Sequence, residues 1–172
     1  SDYFQYCKTT KRTYVSEPII VSENSALIML AGPILVDGNF EGIVFFCKDA
    51  SSLSDIVADI KVGEQGTTSI LNKKGETIAY PDYQFVLNKY NSQEEAKTNK
   101  KLKALSAIEA DMVAGNENVK EYVYEGKKKY MAYAPITNSD GWSIGISVVK
   151  SEFTGNMIQA ILFNILISII IA

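Results

Sequence analysis

Cys7 and Cys47 are the only thiols in a chain that has no histidine. A thiol can attack as a nucleophile, ligate a metal or form a disulfide. Attack wants a base such as His beside it, and ligation wants further Cys or His at short fixed spacing. Neither is supplied, since the two cysteines lie 40 positions apart with no CxxC. Two readings stay open: a Cys7–Cys47 disulfide, or two thiols acting as plain buried apolar side chains. Losing histidine also removes the commonest general base. The stretch Gly63-Glu64-Gln65-Gly66-Thr67-Thr68 has glycines but lacks the lysine of a phosphate-binding loop. There is no GxSxG, and no carboxylate pair stands at an evident fixed spacing. The sequence therefore predicts no enzyme, no metal site and no cofactor, and leaves binding or structure as the task.

The bulk properties agree. A hydrophobic fraction of 47% with 22% charged residues is that of a globular chain. A net charge of −3 provides no basic face to neutralise phosphates, so no nucleic acid is expected as a partner. The aromatic residues Tyr80, Tyr83, Tyr130, Tyr133 and Trp142 fall near predicted strand ends, where they fill core as readily as they line a site. Lys127 to Lys129 and the stretch 91–105 read as solvated surface.

The elements that position these residues follow from periodicity and turn chemistry. Residues 1–12 predict a short helix or its tail, with Tyr3, Phe4 and Cys7 at helical spacing. Residues 13–21 have strand composition, with Pro18 marking an edge or bulge. The apolar run 26–35 and the run 42–50 are strands joined at Asp37-Gly38, a hairpin signal. Ser51 or Ser52 is expected to cap a helix carrying Leu53, Ile56, Val57 and Ile60, with Lys61 in its last turn and Gly63 closing it. A hairpin around Lys74-Gly75 follows. Residues 81–115 then form a long, mostly helical excursion whose apolar face is Leu102, Leu105, Ile108, Met112 and Val113. A hairpin turning at Glu125-Gly126 and a last strand over 141–150 complete the series. Strands containing Ala31 to Ile34 and Ala134 to Ile136 form a weak internal repeat. The fold class is α+β: antiparallel sheet flanked by helices.

Residues 157–172 are apolar all round except for Gln159, Asn164 and Ser168, and none is charged. A buried C-terminal helix is one reading. The β-branched richness of the run favours the other, the first part of a membrane helix of about 20 residues. The chain opens on Ser1-Asp2-Tyr3 without a signal segment, which fits a cytoplasmic protein or one whose natural start lies upstream.

The stretches TYVSEPII, AGPILVDGNFEGIVFF, SLSDIVADIKVGEQGTTSILNKKGETIAYPD and YAPITNSDGWSIGISVVKSEF occur in order. In this they resemble the double Cache sensor domain, the extracellular ligand-binding region of bacterial methyl-accepting chemotaxis proteins and sensor kinases. The likeness runs from about Tyr3 to Phe153. It implies two PAS-like modules: residues 1–62 as the C-terminal part of a membrane-distal module, 63–153 as a membrane-proximal module, and 154–172 as the start of the second transmembrane helix. The first membrane helix and the opening strands would lie upstream of Ser1. It implies an extracellular position at the cell membrane, a small-molecule ligand, anchorage through the C-terminal helix and a homodimeric receptor. The alternatives are the same sensor on a histidine kinase or nucleotide cyclase, or a ligand-free structural module.

Members that bind amino acids carry, as the resemblance implies, an Arg two before a Trp-Tyr pair, a Tyr after the S-x-P strand and an Asp ending the strand after G-x-V. Here Ser1, Ile19 and Cys47 stand at the Arg, Tyr and Asp positions. A free α-amino acid is therefore not the expected ligand. The pocket implied by the likeness is apolar and aromatic, built from Tyr3, Tyr14, Phe45, Phe46 and Cys47 with Glu17 and Asp49 nearby.

Overall fold

The computed structural model describes residues 1–152. Helix α1 (Asp2–Thr10) ends where Lys11 turns left-handed at φ 55°, its N–H closing on the Cys7 carbonyl. Four strands follow: β1 (Tyr14–Val15), β2 (Ile19–Ser22), β3 (Ser25–Val36) and β4 (Asn39–Asp49). β1 and β2 lie along one edge of β3, and β4 along the other. The strand expected over 13–21 is thus split at Ser16-Glu17-Pro18. Pro18 has no N–H to give the ladder, while the Ser16 N–H still donates to the Met29 carbonyl. Asp37 and Gly38 turn β3 into β4 at φ 49° and 80°. Such paired positive values match the strands' twist.

Helix α2 (Ser51–Asp59) departs from expectation at both ends. No serine caps it. The Asp49 carboxylate instead accepts the Ser51 N–H at 2.8 Å, and the Ser52 hydroxyl donates to the Asp49 carbonyl. The helix stops at Asp59 rather than near Gly63, because Ile60 is extended and its carbonyl accepts from the Thr68 hydroxyl.

The second sheet is five-stranded and antiparallel, in the order β6 (Thr77–Ala79), β5 (Thr67–Leu71), β9 (Ser143–Val149), β8 (Lys127–Pro135) and β7 (Asn118–Tyr124). Glu125 and Gly126, at φ 50° and 76°, close the β7–β8 hairpin as the sequence predicts. The long helical excursion is broken into pieces: α3 (Gln84–Leu87), α4 (Ser92–Glu95), a 3-10 turn (Lys100–Leu102) and α5 (Lys103–Val113). Asn91 and Asn99 start two of them by accepting backbone N–H groups with their side-chain oxygens.

α5 covers the five-stranded sheet through Ile108 and Met112, which pack with Leu71, Tyr122, Met131 and Tyr133. Asp111 adds polar ties, accepting from Lys120 at 2.8 Å and from the Tyr133 hydroxyl. α2 joins the two sheets. Its Leu53 packs both with Ala26 and Ile28 of the first and with Ile70, Ile78 and Trp142 at the second. The architecture is α+β, with antiparallel sheets flanked by helices. Among the described residues no helix is long and apolar enough to cross a membrane. The span expected over 154–172 lies outside the described residues.

Candidate functional site

Strand register decides which candidate residues meet. Residues opposite each other in an antiparallel pair share a face. Ile19, Leu27 and Asp49 form one row, Met29 and Cys47 the next, and Tyr14, Ala31 and Phe45 a third. α1 lies over the third row. The Tyr3 ring is 6.5 Å from Tyr14 and 6.1 Å from Phe45, and Tyr6 meets Tyr14 edge-on at 5.6 Å. The Cys7 thiol is buried there and donates to the Ala31 carbonyl. Phe46 is opposite Leu30 and so points to the other face, toward the α2 side. Both cysteines are free: Cys7 is the buried apolar group of one reading, whereas Cys47 is exposed on β4.

Tyr3, Tyr14 and Glu17 line one broad groove between α1, the start of β2 and the β5–β6 turn. Glu17 belongs to the break between β1 and β2, and its carboxylate accepts from Asn72 at 3.1 Å, linking the two sheets' loops. Burial first, and then the carboxylates of Asp140, Asp2 and Glu17, push the Tyr14 phenol above its ordinary value. Three lysines of this rim are not marked as site residues by the sequence: Lys73, Lys74, which reads only as part of a hairpin turn, and Lys89. Lys73 pairs with Asp140 at 2.8 Å, two residues that meet only because the β5–β6 and β8–β9 turns adjoin. Both are largely exposed, so the pair's worth is small. Asp49 is not in this groove. Its carboxylate caps α2, and that bond holds it below the usual carboxylate range. The groove offers both signs of charge above an aromatic floor, which suits holding a small polar molecule and includes no nucleophile with a base.

Of the aromatic residues expected near strand ends, Tyr83, Tyr130, Tyr133 and Trp142 do not share a site, whereas Tyr80 lines a cavity of the second sheet. Tyr133 is in the core, Trp142 is in the core shared with α2, Tyr130 sits under Lys150, and Tyr83 bonds the backbone of Ala26. Among the described residues no cluster of His, Cys, Asp and Glu could hold a metal.

The Cache domain family model matches residues 1–157, and the chain belongs to that family. Cache domains of chemoreceptors are ligand-binding modules without catalytic activity. The chain is 26% identical over 152 residues to the methyl-accepting chemotaxis protein TlpA of Bacillus subtilis (strain 168), covering 88% of this chain and 20% of TlpA. Its fold resembles the extracellular domain of mmHK1S-Z3, described as a histidine kinase, with a TM-score of 0.62 at 19% identity, over 92% of this chain and 57% of that one. It also resembles the ligand-binding domain of the Pseudomonas fluorescens chemoreceptor CtaA in complex with L-alanine, with a TM-score of 0.58 at 18% identity, over 88% and 61% of the two chains. The chain thus spans a fifth of TlpA and under two thirds of these solved domains.

Proposed function

We propose that the chain is the extracellular ligand-sensing region of a transmembrane chemoreceptor. In this reading residues 1–62 are the C-terminal part of a membrane-distal Cache module and 63–153 a membrane-proximal one. Residues 154–172 begin the second membrane helix of a homodimeric receptor. One observation carries it: β9 is the central strand of the five-stranded sheet, flanked by β5 and β8, and it leads directly toward the apolar run. Any shift of that sheet's middle is delivered to the segment that would enter the membrane. A ligand need only bind one arrangement of the sheets better than another to send a signal.

The open surface of β4 supports the two-module division. Val44, Phe45 and Phe46 are each more than half exposed, on both faces of an edge strand. Upstream strands of the distal module would cover them. The ligand site is the face bearing Tyr3, Tyr14, Cys47 and Ile19, with Glu17 at its rim and Asp49 at the end of the same face, while Phe46 stands on the opposite face. The ligand is a small molecule other than a free α-amino acid, since no charged side chain stands at Ser1, Ile19 or Cys47. The second reading, the same sensor on a histidine kinase, is favoured by the likeness to mmHK1S-Z3.

A topological test uses the full-length receptor carrying Lys101→Cys at an exposed position. A membrane-impermeant maleimide should label it on intact cells. Labelling only after lysis refutes the extracellular assignment. For the site, a thermal-shift screen on the receptor's complete outer region should find a ligand whose presence at 100 times its Kd adds about 2.7 kcal/mol. Tyr14→Ala should lose that shift while still unfolding cooperatively, and a shift given by amino acids would overturn the ligand class.

A further inference from the structure

A semi-enclosed cavity of about 60 Å³ lies inside the second sheet's layer, between α5 and strands β5, β7 and β8. A single water needs about 10–15 Å³ by this measure, so the space accepts a ligand of a few heavy atoms. Glu109 enters it from α5 and is only 7% exposed. Its hydrogen-bond partner among the described residues is the Ser92 hydroxyl, and no salt bridge reaches it. Tyr80, Phe85 and Tyr90 line the same space, with centroids 4.8 Å apart along the row.

We infer that this cavity binds a small organic monocation, a primary or methylated amine, with Glu109 as its counter-ion and the Tyr80, Phe85 and Tyr90 rings as its wall. A buried carboxylate without a cation is a costly arrangement that an incoming positive charge relieves. Aromatic walls add attraction for an alkylammonium that they would not give an anion. The charge of the ligand is bounded by the other groups facing Glu109. The phenols of Tyr80, Tyr90, Tyr122 and Tyr124 are all pushed above their ordinary values by burial, so they stay neutral and offer no second anion. Lys129, the one ammonium among the described residues of the wall, lies 5.3 Å over the Tyr124 ring, and burial pulls its pKa down. The Ser147 and Tyr122 hydroxyls share one hydrogen bond at 2.9 Å, in which either can donate. Burial also raises the Glu109 carboxyl to about 7, so proton and amine compete for one oxygen pair. This site lies apart from the α1 groove and does not rest on the reading of that groove.

Isothermal titration of the purified chain with methylammonium and tetramethylammonium, against acetate and acetamide, tests it. At least one of the two cations should bind at pH 8.5, and acetate and acetamide should not. Below pH about 7 the affinity should fall about tenfold per pH unit, with a proton released on binding, read from two buffers of different ionisation enthalpy. Glu109→Gln should weaken binding by about thirtyfold or more. Equal binding of acetamide, binding without proton release at pH 6, or full affinity in Glu109→Gln overturns the assignment. So does the absence of any heat from both amines, which leaves a cavity that holds only water.

Discussion

Glu109 makes a sharp prediction about the unliganded protein. Burial lifts its pKa from 4.5 to about 7, opposed only by the Ser92 hydroxyl. The folded form therefore holds this proton more tightly than the unfolded chain. Stability is greatest when Glu109 is protonated in both states, declines as pH rises from about 4.5 to about 7, and is level above that with respect to this group. A gap of about 2.5 pKa units at 1.36 kcal/mol each is a loss on the order of 3 kcal/mol. Glu109→Gln has nearly the same volume, stays neutral, and keeps an oxygen for Ser92. Urea unfolding of both proteins from pH 4.5 to 8.5, with the same buffer ions throughout, isolates the contribution of Glu109 as a difference, because every other titrating group is common to both. The variant should match the native chain near pH 4.5 and exceed it by on the order of 3 kcal/mol at pH 8. Parallel curves, or a variant weaker at every pH, refute the claim that Glu109 is a desolvated carboxylate without a cation.

Other outcomes follow from the packing. Met112 is fully buried against the sheet, and Met112→Ala should cost about 2–5 kcal/mol by urea unfolding. Gly145→Ala would set a methyl 2.9 Å from the Met112 terminal carbon and should cost about 1–3 kcal/mol, with less cost in a Met112→Leu background. Gly38→Ala, at φ 80° on an open hairpin tip, should cost about 1 kcal/mol through backbone strain alone, leaving the fold's circular dichroism unchanged. Hydrogen bonds from Lys120, Tyr133 and Asn116 hold Asp111 down at about 2. Its stabilising contribution is present above an unfolded value near 3.8 and is lost as pH falls toward 2. Asp111→Asn should therefore flatten the acid limb of the stability curve in that window.

What the sequence discloses is what local rules govern. Asp37-Gly38 and Glu125-Gly126 specify their hairpins because left-handed backbone at a two-residue turn is a property of those residues alone. The end of α2 is different. Gly63 is a sound stop signal, yet the helix ends four residues earlier because Thr68, in a strand of the other sheet, bonds the Ile60 carbonyl. The excursion after Pro81 breaks where Asn91 and Asn99 offer side-chain oxygens, a local signal that the apolar face further on masks in the sequence.

The candidate site divides along the same line. Tyr3 and Tyr14 meet because α1 and β1 are joined by a short link. Phe46 falls away from Phe45 and Cys47 because adjacent strand residues face opposite ways. Lys73 and Asp140 reach the groove only through the adjoining of two turns, which no local pattern announces. Glu109 is the instructive case. Leu102, Leu105, Glu109 and Met112 stand at spacings of three, four and three, so the carboxylate occupies a place in the apolar stripe itself. A charge there has either a buried partner or a ligand to meet. Only the packed structure shows that no cation among the described residues bonds it, and that the space beside it is lined with aromatic rings. The stripe marks the residue, and the cavity gives the reason to look for what it binds.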